Sequence, residues 1–460
     1  MDLRFLGQRI QLPMLAMWSA EGAAALLAGR ISGHYVAKLQ ASSEALWAVS
    51  AVFAACVVVA MLSMRLFTIR QRDSRAILLL RITIAIVGGA CVATVILATW
   101  TRVQAATAVV CAATLLAWCF IVTIRGIGLH VIDENRFKRR ILIYGTGRNA
   151  LKMRRLRRRS DQRGFRLVGF VRPPGEECLV DEKQVLTSVS TLRECAMENS
   201  IDEIVVAMDD RRRSFPVQEL MECRIAGIDV IEFISFLERE TGKVHLDLLY
   251  PSWVIFGRGY RHDVTRSALE RVFDLGSSAA ILLVSWPAML VIMLAIKLED
   301  GWSAPILYRQ LRVGYGGRLF HVLKFRSMCI DAEKDGAQWA AKRDNRVTRV
   351  GAAIRKARLD ELPQLVNVFK GEMSFVGPRP ERPEFVDQLS NSIPFYGQRH
   401  SVKPGITGWA QLCYNYGASE ADAKEKLQYD LFYVKHHSLV FDLLILLQTV
   451  EVVFFGRGAR

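Results

Sequence analysis

Three stretches near the N-terminus, residues 45–64, 82–101 and 103–124, carry no charged side chain. Each matches the ~20 apolar residues that an α-helix needs to cross a bilayer. A fourth stretch, residues 12–28, is weaker because Glu21 interrupts it. A carboxylate at mid-membrane costs roughly 2.5–3.5 kcal/mol on the insertion scale, so Glu21 is expected near an interface or facing other helices. Successive segments of this kind exclude an ordinary soluble protein and predict a four-helix transmembrane bundle over residues 1–130. The connection at residues 65–81 holds Arg65, Arg70, Arg72, Arg75 and Arg81 against Asp73, and Arg125, Lys138, Arg139 and Arg140 follow the fourth segment. Positive loops stay in the cytoplasm. An even number of crossings then leaves the N-terminus and everything after residue 125 on that side.

The remaining 335 or so residues are more polar, and the whole chain of 460 carries a net charge of +16. Nucleic acid, anionic lipid and phosphorylated substrates all attract such an excess. The basic run Arg154, Arg155, Arg157, Arg158 and Arg159 lies just after the membrane segments. There, anionic lipid headgroups at roughly 1 kcal/mol per residue explain it better than nucleic acid does. The nine cysteines include no Cys-x-x-Cys pair, which points to reduced packing residues. No cleavable signal peptide is evident.

Residues 138–250 read as a Rossmann-like α/β domain. Short apolar strands are expected at 140–144, 165–171, 203–207 and 227–233, alternating with helices. The turn Gly145-Thr146-Gly147-Arg148-Asn149-Ala150 could seat a phosphate on a helix N-terminus. The next strand ends at Arg172, where a nicotinamide-cofactor site offers an acid to the ribose. The domain therefore reads as structural or regulatory rather than catalytic.

A further apolar run, residues 275–296, lies within a helix expected over 272–297. Pro287 interrupts it, removing a helical hydrogen bond and kinking the chain. A full crossing would also carry a polar, phosphate-seeking C-terminal unit out of the cytoplasm. A re-entrant membrane helix that bends at Trp286-Pro287 resolves both problems. Residues 438–455 are expected on the membrane surface, because Asp442, Gln448 and Glu451 interrupt a broad apolar face.

Chemistry concentrates after residue 265. Lys324-Phe325-Arg326-Ser327-Met328 comes first, then Arg355, then Arg358-Leu359-Asp360-Glu361-Leu362-Pro363-Gln364-Leu365. Gly377-Pro378-Arg379-Pro380-Glu381 and Lys403-Pro404-Gly405-Ile406-Thr407-Gly408-Trp409-Ala410-Gln411 follow. A diphosphate needs several cations as a bond to phosphorus breaks, and the forked guanidinium suits that task. A carboxylate can attack phosphorus, and a neighbouring acid can help to hold Mg²⁺. Leu362, Leu365, Val366 and Phe369 follow helical spacing, so Asp360 and Glu361 fall near a helix start. Arg355 and Arg358 are expected to favour the ionised form of Asp360. Taken alone, Asp360-Glu361 would be an ordinary helix cap, and Lys324, Arg326 and Arg379 solvated charges or a turn.

In combination, these motifs resemble the catalytic module of the bacterial sugar transferases, the monotopic phosphoglycosyl transferases that act on polyprenyl phosphate. The resemblance covers residues 265–460. It implies a mainly α-helical monotopic catalytic domain. It also implies transfer of a hexose-1-phosphate from a UDP-sugar to polyprenyl (undecaprenyl) phosphate, with release of UMP, as the priming step of exopolysaccharide synthesis. Asp360 would be the nucleophile and would carry the phosphosugar. Glu361 would complete the pair, and both would support Mg²⁺. Lys324, Arg326, Arg355 and Arg379 would bind the substrate. Four spans followed by a Rossmann-like domain resemble the long members of the family. The protein would then sit in the bacterial inner membrane as a multi-pass protein, with its catalytic domain cytoplasmic. Its partners would be membrane lipids, a UDP-sugar and polyprenyl phosphate, with no nucleic acid; self-association and the identity of the sugar stay open. Family members often bend the re-entrant helix at Ser-Pro, whereas here Ser285 stands one residue further from Pro287. Two other readings compete: an NAD-dependent nucleotide-sugar modifying enzyme, and a non-catalytic assembly scaffold. The first would need a Tyr-x-x-x-Lys set, which residues 138–250 lack. The second would need no Asp-Glu pair.

Overall fold

The computed structural model describes residues 3–5, 8–10, 12–36, 43–64, 66, 75–100, 106–131, 138–155, 165–186, 191–210, 215–249, 264–329, 346–414 and 419–455. They form two compact units, Met1–Gly242 and Lys243–Arg460.

The first unit opens with a small antiparallel hairpin, β1 (Leu3–Phe5) and β2 (Gln8–Ile10). Four long helices follow: α1 (Leu12–Val36), α2 (Ser43–Ser63), α3 (Arg75–Trp100) and α4 (Ala106–Val131). α1 packs on α4 and α2, and α3 packs on α2 and α4, which closes a bundle. Val59, Val92, Val95 and Leu115 are exposed on its outside, as expected where a surface meets lipid rather than water. α2, α3 and α4 are long and apolar enough to cross a membrane. α1, which carries Glu21 and Arg30, is not among them. Glu21 faces the other helices, one of the two expected placements. Its carboxylate takes Nε and Nη2 of Arg125 at 2.7 and 2.8 Å, while Nη1 of Arg125 reaches the Leu66 carbonyl at 3.1 Å. Breaking such a buried pair on one side costs roughly 3–5 kcal/mol.

The unit continues with β3 (Arg139–Tyr144), α5 (Arg148–Arg155), β4 (Phe165–Val171), α6 (Leu192–Glu198), β5 (Glu203–Val206), α7 (Val217–Ile225), β6 (Asp229–Glu232) and α8 (Phe233–Thr241). The four strands make one parallel sheet in the order β4-β3-β5-β6. Ile141, Leu142 and Ile143 run without a polar break because helices cover the sheet. Leu142, Ile204 and Val206 pack with Leu192, Ala196, Leu220 and Cys223 of the helices. Arg157, Arg158 and Arg159 of the basic run lie outside the described residues.

In the second unit, the short 3-10 helix Leu246–Leu248 precedes α9 (Val264–Asp300). Val244 and Leu246 pack with Leu389, Tyr396, Leu427 and Leu431. The α/β domain expected to reach residue 250 thus ends, by packing, at Gly242. An antiparallel hairpin follows, β7 (Leu307–Val313) and β8 (Leu319–Phe325), then α10 (Arg349–Lys356), the 3-10 turn Leu359–Glu361 and α11 (Gln364–Lys370). β9 (Ser374–Val376) pairs in parallel with β10 (Gly405–Thr407). Between them lie α12 (Pro383–Ser392) and the 3-10 segment Tyr396–Ser401. Helices α13 (Trp409–Cys413), α14 (Glu420–His436) and α15 (Leu439–Phe455) close the chain. Val322, Leu365, Val368, Met373, Tyr433, Phe441 and Ile445 share one core. On α15, Asp442 and Gln448 are buried, while Val440 and Leu443 are exposed. Asp442 and Gln448 therefore face the protein and Val440 and Leu443 face outward, while the side chain of Glu451 lies outside the described residues.

α9 is one helix of 37 residues with Pro287 inside it. Both of its ends hold the same unit. Near its start, Asp274 accepts from Ser374 Oγ at 3.1 Å and Phe375 N at 3.2 Å, and Arg271 donates to the carbonyls of Val368 and Phe369. Near its end, Ile292 and Ile296 pack on Phe325 and Ile354. Glu299 accepts from the amides of Arg349 and Val350, capping α10. Leu283, Val284, Trp286, Leu290 and Val291, between those anchors, are exposed.

Candidate active site

The site is built on β8 and α11, and Asn367 joins them. This side chain is 1% exposed. Its Oδ1 accepts from the Leu323 amide at 3.0 Å, and its Nδ2 donates to the His321 carbonyl and to Glu372, each at 2.7 Å. One buried amide thus fixes the strand that carries Lys324 against the helix that follows Asp360-Glu361. Sequence reading passed over Asn367. Its only signal was a polar residue inside the apolar run Leu365-Val366-Asn367-Val368-Phe369.

Arg358 has a left-handed backbone, φ 58°, which a residue other than glycine adopts only at a cost of order 1–3 kcal/mol. It turns the chain from the end of α10 into the 3-10 turn, bringing Asp360 and Glu361 inward. Asp360 is 9% exposed. Glu361 Oε1 receives Lys324 Nζ at 3.1 Å and Arg379 Nη2 at 3.0 Å. Burial alone would raise the Glu361 pKa, but the charges of Arg379 and Lys324 outweigh it and hold Glu361 well below the usual carboxylate range. Asp360 moves the other way. Burial pushes it up, Glu361 adds to the rise, and Lys324 and Arg355 oppose it. The expectation that neighbouring arginines make Asp360 more acidic is therefore reversed, because desolvation exceeds their pull.

Lys324, Arg379, Asp360 and Glu361 thus converge, with the charge of Arg355 acting on Asp360. Arg326 is engaged elsewhere. It is 6% exposed, its Nη2 pairs with Asp300 of α9 at 2.8 Å, and its Nε and Nη1 are buried without a partner among the described residues.

The Gly377 and Lys403–Gln411 motifs have a structural explanation. They cross backbone on backbone where β9 meets β10. A Cβ on Gly377 would lie 2.2 Å from the Lys403 carbonyl oxygen, and one on Gly405 would lie 2.1 Å from the Gly377 nitrogen. No side chain fits there. The crossing sets where the chain leaves β9, and Arg379 follows two residues later. Among the described residues, no group of three or more His, Cys, Asp or Glu side chains is placed to hold a metal.

The glycine-rich turn after β3 offers its amides to the chain itself. Thr146 N donates to Glu176 Oε2 at 2.8 Å. Arg148 N and Asn149 N donate to the Asp209 carboxylate at 2.7 and 2.9 Å. Arg172, at the position where a nicotinamide-cofactor site offers an acid to the ribose, donates to the Glu176 carbonyl at 2.9 Å. Two carboxylates thus hold the donors that a dinucleotide phosphate would use, which counts against the NAD-dependent reading.

A family profile described as "Bacterial sugar transferase" matches residues 265–456. The chain is 42% identical over 241 residues to the UDP-N-acetylgalactosamine-undecaprenyl-phosphate N-acetylgalactosaminephosphotransferase of Aeromonas hydrophila, covering 52% of this chain and 56% of that protein. It is 33% identical over 350 residues to the undecaprenyl-phosphate glucose phosphotransferase of Komagataeibacter xylinus, covering 73% of this chain and 63% of that protein. It is 30% identical over 350 residues to the UDP-glucose:undecaprenyl-phosphate glucose-1-phosphate transferase of Xanthomonas campestris pv. campestris, covering 73% of this chain and 71% of that protein. The chain thus spans little more than half to about two thirds of the length of the first two.

Proposed function

Because this chain belongs to the bacterial sugar transferase family, we propose that it transfers a sugar-1-phosphate from a UDP-sugar to undecaprenyl phosphate and releases UMP. The observation that carries this reading is the buried Asp360 beside Glu361, whose carboxylate is held by Lys324 and Arg379. The named relatives act with N-acetylgalactosamine or glucose, so the donor is taken as a UDP-hexose or a UDP-N-acetylhexosamine.

In the first step, a carboxylate oxygen of Asp360 attacks the β-phosphorus. The bond from that phosphorus to the bridging oxygen breaks, and UMP leaves with the electron pair. In the second step, an oxygen of the lipid phosphate attacks the same phosphorus. The bond to Asp360 breaks and the free carboxylate returns. Lys324, Arg355 and Arg379 balance the phosphate charge through both steps, and Glu361 keeps Lys324 and Arg379 in place. Arg326, expected from the sequence as a substrate contact, is buried and paired with Asp300 instead, and is given no part in these steps. Mg²⁺ commonly binds through one or two carboxylates together with substrate phosphates. Asp360 and Glu361 supply that donor set, and the ion, when bound, would offset diphosphate charge.

The protein is read as a multi-pass protein of the bacterial inner membrane with its catalytic unit in the cytoplasm. The Arg-rich connection between α2 and α3 supports that orientation. α9 is read as re-entrant, supported by the attachment of both its ends to the one unit. The parallel-sheet domain is read as Rossmann-like and non-catalytic, since its turn is filled by Glu176 and Asp209. UMP release from a panel of UDP-sugars, with undecaprenyl phosphate in detergent, tests the proposal. Continued turnover should require both substrates. No UMP from any UDP-sugar would sink it.

A further inference from the structure

Arg399 is an interior arginine that no sequence motif singled out; its Nη1 and Nη2 are paired, while its Nε is buried without a partner among the described residues. It is 6% exposed and sits in the 3-10 segment Tyr396–Ser401. Its Nη1 donates to the Tyr396 hydroxyl at 2.7 Å. Its Nη2 lies 2.8 Å from Asp430 of α14 and donates to the main-chain carbonyl of Arg379 at 3.0 Å. The next carbonyl along, that of Pro380, receives Nη1 of Arg312 at 2.9 Å. Two arginines therefore grip successive carbonyls of the loop whose side chain at Arg379 reaches Glu361.

The segment that delivers Arg399 is strained to do so. Phe395, at its start, has a left-handed backbone with φ 64°, an outlier for a bulky aromatic residue. This turn brings Tyr396 and Arg399 inward together. A guanidinium is suited to the task because its rigid fork serves several acceptors at fixed angles, whereas an ammonium is a single point of charge.

We propose that Arg399 is a positioning residue for the transfer reaction, fixing the main chain of Arg379 and hence the approach of its guanidinium to Glu361 and the donor phosphates. The inference rests on reading Asp360 and Glu361 as the reacting pair. Arg399 does not touch substrate. Its effect passes through Arg379.

The test uses the full-length protein in nanodiscs, with UDP-glucose and UDP-N-acetylgalactosamine as donors and UMP release as the readout. Wild type, R399K, R379A and the R379A/R399K double variant are compared, with melting measured alongside. R399K should melt near wild type and raise KM for the donor about 10- to 100-fold, as a misplaced binding group does. In the double variant the two losses should not multiply, since both act through one guanidinium. Y396F, which removes one hydrogen bond, should give a smaller rise of the same sign; if R399K fails to fold, Y396F carries the test alone. A wild-type KM in the folded variant, or losses that multiply in the double variant, would overturn the inference and leave the proposed function standing. An unchanged KM in R379A would likewise overturn the inference alone, whereas no UMP from wild type with any UDP-sugar would overturn the proposed function and the inference with it.

Discussion

Asp360 and Glu361 are neighbours in the chain, yet their surroundings push them in opposite directions. Glu361 touches two cations that outweigh its burial, so its carboxyl stays ionised far into acid. A depressed carboxyl contributes stability that is present above its unfolded value and lost only as pH falls through the folded value. The cluster with Lys324 and Arg379 therefore persists while Asp360 titrates. Asp360 is raised by burial and then by Glu361. Only its ionised form can attack phosphorus, so activity should fall on the acid side at a pH above the ordinary aspartate value of about 3.9. Glu361→Gln removes a charge that raises Asp360 and frees Lys324 to act on it. That variant should be slower, and its acid limb should move to lower pH. A pH profile of UMP release decides this, and an acid limb that stays in place would show that Glu361 does not set the Asp360 pKa.

The elements differ in how far their sequence reveals them. The bundle helices and α9 were legible because uncharged runs of some twenty residues have few other uses. The parallel strands were legible because apolar stretches near 140, 165, 203 and 229 are short and bounded by turns. The two hairpin strands β7 and β8 were not. Leu307–Val313 mixes Leu, Tyr and Val with Arg309, Gln310 and Arg312 in no regular alternation, and its pairing depends on a partner across a Gly-rich turn. The active pair was legible from motifs, but its support was not. Asn367 and Arg399 act through contacts 44 and 20 positions away in sequence, and no local pattern records such contacts. α9 carries a prediction of its own. With both ends anchored on the catalytic unit, it should enter and leave the membrane on one side. A reporter fused after Arg460 should then be active only in the cytoplasm, and activity outside would mean that α9 crosses fully.

Across the whole molecule, the unit boundary matters for where the chain can be cut. The sequence motifs begin after residue 265, which suggests residues 265–460 as a minimal enzyme. Packing places Val244 and Leu246 in the core of that unit, with Val244 N donating to the Gln428 carbonyl at 3.0 Å. Residues 243–460 in nanodiscs should therefore release UMP and melt at a higher temperature than residues 265–460. Equal stability would deny the segment its structural role. If neither folded piece shows activity, the first unit takes part in the chemistry. The central claim, a phosphosugar carried on Asp360, is tested most directly by mixing the full-length protein with UDP-sugar in the absence of lipid. The account predicts UMP in an amount stoichiometric with enzyme, and a sugar-phosphoryl mass on the peptide containing Asp360, both lost in Asp360→Asn. An Asp360→Asn variant that turns over near the wild-type rate would contradict it and favour direct attack by the lipid phosphate.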